Sequence, residues 1–202
     1  TVNKQFGSLF RPGNVTVIAA PPGGFKTTLI MDLATKVSHS HGDVPILHFD
    51  NGEMSKKELQ IRMCGALSGI PVALIENGKW AQGGFTDPIS RQSFSAAETR
   101  EKLKKTWEAV LSRKLYYYNV ANHTVDQMLT VARRFYWRRV GRGNPMILSF
   151  DYVKHGSEKS SNKASWEVVG EIVNKFKSFI SDEITHNGHP IISFITGAQC
   201  NR

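Results

Sequence analysis

Lys26 and Thr27 close the stretch AAPPGGFKTT, Ala19 to Thr28, and their types and spacing could hold a phosphate and its metal. A phosphate cradle needs backbone N–H groups turned inward by a tight turn with few side chains. Gly23 and Gly24 supply that freedom, with Pro22 and Phe25 flanking them and Thr28 extending the hydroxyl pair. In such a loop the Lys reaches the β- and γ-phosphates, and the hydroxyl after it holds Mg²⁺. The usual pattern, G-x-x-x-x-G-K-[ST], is missed at both glycines: Ala20 stands six residues before Lys26, and Phe25 directly before it. If the position before the Lys needs positive φ, Phe25 is strained by ~1 kcal/mol or more; at negative φ Gly23 and Gly24 shape the cradle alone. Without a phosphate, the same residues make an ordinary strand-to-helix turn with a surface Lys.

A phosphate loop must follow a strand and open a helix, so that the helix N-terminus adds its partial positive charge. The flanking sequence meets this: VTVIAA (15–20) reads as a buried strand and LIMDLATKV (29–37) as a helix. PILHFD (45–50), LYYYNV (115–120), MILSFD (146–151) and PIISFI (190–195) read as four more strands. Ser55 with Glu58, and Thr124 with Gln127, form capping boxes that open helices. The first carries Leu59, Met63 and Leu67 on one face; the second runs to about Val140 and stops at GRGNP. Residues 96–113 and 165–184 read as helices, and 78–95 as a turn-rich loop. Alternating strands and helices predict an α/β fold with a mostly parallel sheet and helices on both faces.

The chain has 202 residues and 40% apolar content, which predicts one domain over 1–202 with a real core. Its 26 Lys and Arg against 17 Asp and Glu give a net charge of +9, which favours a polyanionic partner. Cys64 and Cys200 have no metal-ligand spacing and form no disulfide framework, which suits a reducing, intracellular setting. No apolar run reaches the ~18 to 20 residues of a membrane span, so no membrane partner is expected. A first residue Thr1 rather than Met reads as a piece of a longer chain.

FDNGEMSKKELQIRM resembles the E-M-S-x-x-x-L-x-x-R segment of DnaB-type replicative helicases, with Glu53, Met54, Ser55, Leu59 and Arg62 at the matching places. MILSFDYV looks like that family's strand ending in Asp-Tyr, here Asp151 and Tyr152. IISFITGAQCNR looks like the strand leading to Gln and then Asn-Arg, here Gln199, Asn201 and Arg202. With the phosphate loop these make four motifs in the family's order.

The resemblance implies a RecA-like P-loop NTPase core whose last strands and arginine finger lie beyond Arg202. It implies ATP or another NTP with Mg²⁺, a hexameric ring on single-stranded DNA, 5′–3′ movement, and primase or other replisome partners. It also implies a bacterial cytoplasm, a phage-infected cell or an organelle matrix. Lys26 then neutralises the phosphates, Thr27 and Asp151 hold the metal, and Glu53 orients the attacking water. Asp50 competes with Glu53 for that role, since it ends its strand more directly. Gln199 senses the γ-phosphate, and Arg62 is either a surface residue or a link between subunits.

DNA contact is expected from the polar loop after the fourth strand, through Lys154, His155, Lys159 and Lys163, and from Arg202. That loop has few bulky residues, so it would track the phosphate backbone. The run ARRFYWRRVGR (132–142) invites a nucleic-acid reading as well, but helical spacing places its aromatics partly inward and its arginines outward. Two other readings remain open on sequence alone: a RecA-like recombination or signalling ATPase, and a nucleotide- or DNA-binding module without turnover.

Overall fold

The computed structural model describes residues 10–21, 26–42, 44–112, 114–153 and 165–199, with the backbone alone at 39, 152, 153, 165, 166, 168 and 199. The chain runs β1 (Val15–Ala20), α1 (Lys26–Ser40), β2 (Ile46–Asp50), α2 (Lys56–Ser68), α3 (Val72–Asn77), α4 (Trp80–Gly83), β3 (Phe85–Thr86) and β4 (Ser93–Phe94). It continues through α5 (Ala96–Ser112), β5 (Leu115–Asn119), α6 (Val125–Phe135), β6 (Met146–Val153), α7 (Ser165–Ser178), β7 (Thr185–His186), β8 (His189–Pro190) and β9 (Ile192–Gln199). Contacts divide it into two compact units, one of residues 1–53 and 114–202, the other Met54–Arg113.

The first unit holds a five-stranded sheet in the order β1-β9-β6-β2-β5, with every neighbouring pair parallel. Strands buried on both faces have no solvent side, which is why β2 is buried at all five positions. The two-residue period still sorts the faces. Leu47, Phe49, Leu148, Phe150 and Phe194 face Met128, Leu129 and Ala132 of α6 and Ile172 and Phe176 of α7. Ile46 and Ile147 face the other way, against Ala34 of α1. Phe176 stacks on Phe194 with ring centroids 4.7 Å apart, and each such buried ring contributes ~1.5–3 kcal/mol.

Both helices of the first face end in a widened π turn, at Tyr136–Val140 and Phe179–Glu183. Gly141 N donates to Tyr136 O at 2.8 Å, and Ile184 N to Phe179 O at 3.2 Å. The widening turns Tyr136 into the core and leaves Trp137 54% exposed, so the expected inward set holds for Tyr136 but not for Trp137. Arg133 forks onto Glu183, while Arg134, Arg138, Arg139 and Arg142 are exposed, as helical spacing predicts.

Several boundaries differ from expectation. The helix after the phosphate loop starts three residues earlier, at Lys26, and the helix expected over 165–184 gives way to its π turn after Ser178. The last strand runs over Ile192–Gln199, because His189 and Pro190 belong to the small β7–β8 hairpin instead. Its Asn187 and Gly188 both have positive φ, 50° and 77°, the geometry an Asn-Gly turn favours.

In the second unit, Ser55 and Glu58 form the expected capping box on α2, and Leu59 and Met63 are buried while Leu67 is half-buried. The stretch expected as a loop over 78–95 contains α4 and the β3–β4 hairpin, where Phe85 stacks on Phe94 at 5.3 Å. The Lys102 ammonium caps the Phe94 ring at 4.5 Å. Burial pushes the Cys64 thiol up to about 11, so it serves as a small core residue.

Candidate functional site

The site assembles where β1, β9, β6 and β2 end, at the carboxyl edge of the sheet where open α/β folds bind ligands. β1 leads through Pro21 toward the turn, and α1 begins at Lys26. Pro22, Gly23, Gly24 and Phe25 lie outside the described residues, and with them the question of the φ at Phe25. Lys26 is 8% exposed, and its ammonium folds back to donate to Ala20 O at 3.2 Å and Pro21 O at 3.1 Å. Thr27 and Thr28 stand in the first turn of α1, which carries no acidic residue. The positive end of the helix is therefore left for an anion.

Asp151 on β6 is 1% exposed, and among the described residues neither of its carboxylate oxygens has a hydrogen-bond partner. Burial first, then the Glu53 and Asp50 charges, push its pKa above the usual carboxylate range. The Thr27 hydroxyl and the Lys26 ammonium oppose that rise, Thr27 the more strongly, although the geometry falls short of a hydrogen bond. A buried carboxylate left without donors, beside a hydroxyl on a helix N-terminus, fits a hard divalent cation held by Thr27 and, through a water, by Asp151.

Glu53 is exposed and stands on a short turn after β2. Asn51 N donates to Asp151 O at 3.3 Å, which ties that turn to β6. Gly52 takes φ +82°, and its N–H donates to Asp50 Oδ2 at 2.7 Å. The same Oδ2 accepts from Tyr117 OH at 2.9 Å. Asp50 itself is fully buried. Sequence spacing made Asp50 a rival to Glu53 as the base, but the structure encloses it and commits that oxygen to the turn.

Behind this pair lies a polar ladder that sequence reading missed. His48 is fully buried, its Nδ1 lies 2.8 Å from Ser149 Oγ, and among the described residues its Nε2 has no hydrogen-bond partner. Burial lowers its pKa to about 4, so the ring is neutral near pH 7. Tyr117 faces it with ring centroids 6.3 Å apart. The alternation in ILHFD and LYYYN places His48, Asp50 and Tyr117 on predictable faces, but only the non-local pairing of β2 with β5 brings them together.

Gln199 ends β9 and is the register partner of Ala20, so its backbone reaches the base of the phosphate loop; its side chain lies outside the described atoms. Lys154, His155, Lys159, Lys163 and Arg202 also lie outside the described residues. Arg62 sits on α2 of the second unit, where its charge helps hold Glu58 below the usual carboxylate range, after the Ser55 hydrogen bonds. Among the described residues no helix is long and apolar enough to cross a membrane.

A parallel sheet with a strand–loop–helix at β1 and an acidic strand end two strands away defines a RecA-like α/β nucleotide-binding core. The family model of the DnaB-like helicase C terminal domain matches residues 4–193, and the chain belongs to that family. Two solved structures share the fold. One is an ATPase domain, 19% identical at a TM-score of 0.70, over 95% of this chain and 59% of that one. The other is a DnaB-like replicative helicase studied with its interactions with primase, 20% identical at a TM-score of 0.70, over 96% of this chain and 41% of that one. The chain thus spans about half the length of the solved chains it matches. Comparison with curated protein sequences gives no match.

Proposed function

We propose that residues 1–202 form the ATPase domain of a replicative DNA helicase, which hydrolyses ATP or another NTP to move 5′–3′ along single-stranded DNA and part the duplex. The observation that carries this is the orphaned, buried Asp151 facing Thr27 and Lys26, in a chain of the DnaB-like family.

Arriving phosphates would exchange the Ala20 and Pro21 carbonyls for their own oxygens as partners of the Lys26 ammonium. Gly23, Gly24, Phe25 and Thr28 would line the cradle with backbone N–H groups, and Pro22, which has none, would help set the turn. A bound Mg²⁺ would supply positive charge against the negative charge that develops on the phosphates. Thr27 and Asp151 would hold it. Glu53, exposed at the turn after β2, would orient the attacking water. Gln199, at the end of the strand between β1 and β6, would read the loss of the γ-phosphate.

The reading extends to a hexameric ring with nucleotide between subunits and an arginine finger supplied by the neighbour. Lys154, His155, Lys159, Lys163 and Arg202 would follow the DNA backbone inside it. The relative studied with primase makes a primase contact part of the proposal, and the work would be done inside a cell. The test is NTP hydrolysis by the full-length protein with and without single-stranded DNA. DNA-stimulated turnover that Lys26→Ala abolishes is expected; turnover indifferent to both overturns the reading.

A further inference from the structure

We infer that Asp50 and Tyr117 are positioning residues for Glu53, joined as a part-buried brace that fixes the turn on which Glu53 stands. This rests on the proposed hydrolysis at the same site and goes beyond it by naming what aims the base.

The geometry is specific. Asp50 Oδ2 receives Gly52 N at 2.7 Å and Tyr117 OH at 2.9 Å. The first bond closes an Asx turn over residues 50–52. The second pins the carboxylate from the neighbouring strand β5, in which Tyr117 is the register partner of His48. Two further contacts leave the turn little room. Asn51 N is held by Asp151 O at 3.3 Å, and a Cβ on Gly52 would stand 3.3 Å from Ala121 Cβ. Ala121 is fixed in turn by its N–H on Asn119 Oδ1 at 3.0 Å.

Glu53 is the next residue along and is exposed, so the set of the turn governs where its carboxylate points. A base that must orient one water over one phosphorus loses rate steeply with small displacements. A surface Glu on an unbraced turn would sample many positions. Asp50, fully buried, is a firm anchor through its two hydrogen bonds.

The test uses the full-length protein and Tyr117→Phe, which keeps the ring and deletes the donor. Steady-state hydrolysis with single-stranded DNA, affinity for a fluorescent non-hydrolysable nucleotide, and Tm are measured in parallel. The expected result is a kcat lower by roughly 10- to 100-fold, with KM and analogue affinity within about twofold. The deciding arm repeats Tyr117→Phe in a Glu53→Gln background, where the residual rate should change by less than about twofold, since the brace then has no base to aim. An unchanged kcat overturns the inference, as does an equal loss in both backgrounds, or a loss matched in affinity and Tm. If the wild-type protein shows no turnover at all, the hydrolase reading itself fails.

Discussion

Asp50 and Asp151 are register partners on adjacent parallel strands, both buried, yet their surroundings are opposite. Asp50 Oδ2 is held by two donors, whereas among the described residues neither Asp151 oxygen has a hydrogen-bond partner. One carboxylate is built into the structure and the other is kept open for something else.

That difference sets the outcome of Asp151→Asn. Replacing an unpaired buried carboxylate with a neutral isostere should leave the Tm of the ligand-free protein unchanged or raise it. The same change should lower hydrolysis by about 100-fold or more and remove the extra Tm that Mg²⁺ adds in the presence of nucleotide. Thermal melts with and without Mg²⁺, beside a phosphate-release assay, check both halves.

His48 should make stability depend on pH over a defined window. Its folded pKa is lowered from 6.5 to about 4, so between those values the unfolded chain binds the proton and the folded chain does not. Its contribution is therefore complete above pH 6.5 and disappears as pH falls toward 4, a loss of roughly 3 kcal/mol. Denaturant melts from pH 7 to 4 should show this slope, and His48→Asn should flatten it.

Gly52→Ala should cripple catalysis more than folding. A φ of +82° costs an L-residue ~1–2 kcal/mol, and the new methyl must also press on Ala121. The turn would relax and carry Glu53 with it. A kcat about 10-fold lower or worse, with nucleotide affinity retained, is the expected result by fluorescence titration and steady-state kinetics.

Phe176→Ala should act on stability alone. The ring is fully buried against Phe194 and 6.1 Å from Phe150, on the sheet face away from α1. Its loss leaves a cavity worth ~3–5 kcal/mol, read as a lower urea midpoint with an unchanged m-value.

Much of this was legible in local sequence. ILHFD announces a buried strand because a central parallel strand has no polar face, and the Ser55 and Thr124 capping boxes form as their spacing requires; VTVIAA, expected to be buried as well, is an edge strand with Val17 46% exposed. Lys26, Thr27, Asp151 and Glu53 stood out as candidates because strand ends and helix starts are where such groups can act. What stayed hidden was tertiary. Tyr117 lies 67 residues from Asp50, and nothing in LYYYNV says which strand it will lie beside. Trp137 faces solvent because of a π turn, which carries no period of its own in the sequence. The β7–β8 hairpin was in fact written in Asn187-Gly188, and the apolar run after it masked the signal.

The strand order has a mechanical consequence. β9 and β6 separate β1, which bears the phosphate loop, from β2, which bears Glu53. Three strand spacings put the two ends roughly 14 Å apart, and the natural twist turns one against the other by roughly 60–75°. The two halves of the proposed chemistry would thus be mounted on opposite arms of a torsion spring. A few degrees of added twist, spread over three interstrand hydrogen-bond ladders, would change their separation without breaking a single bond.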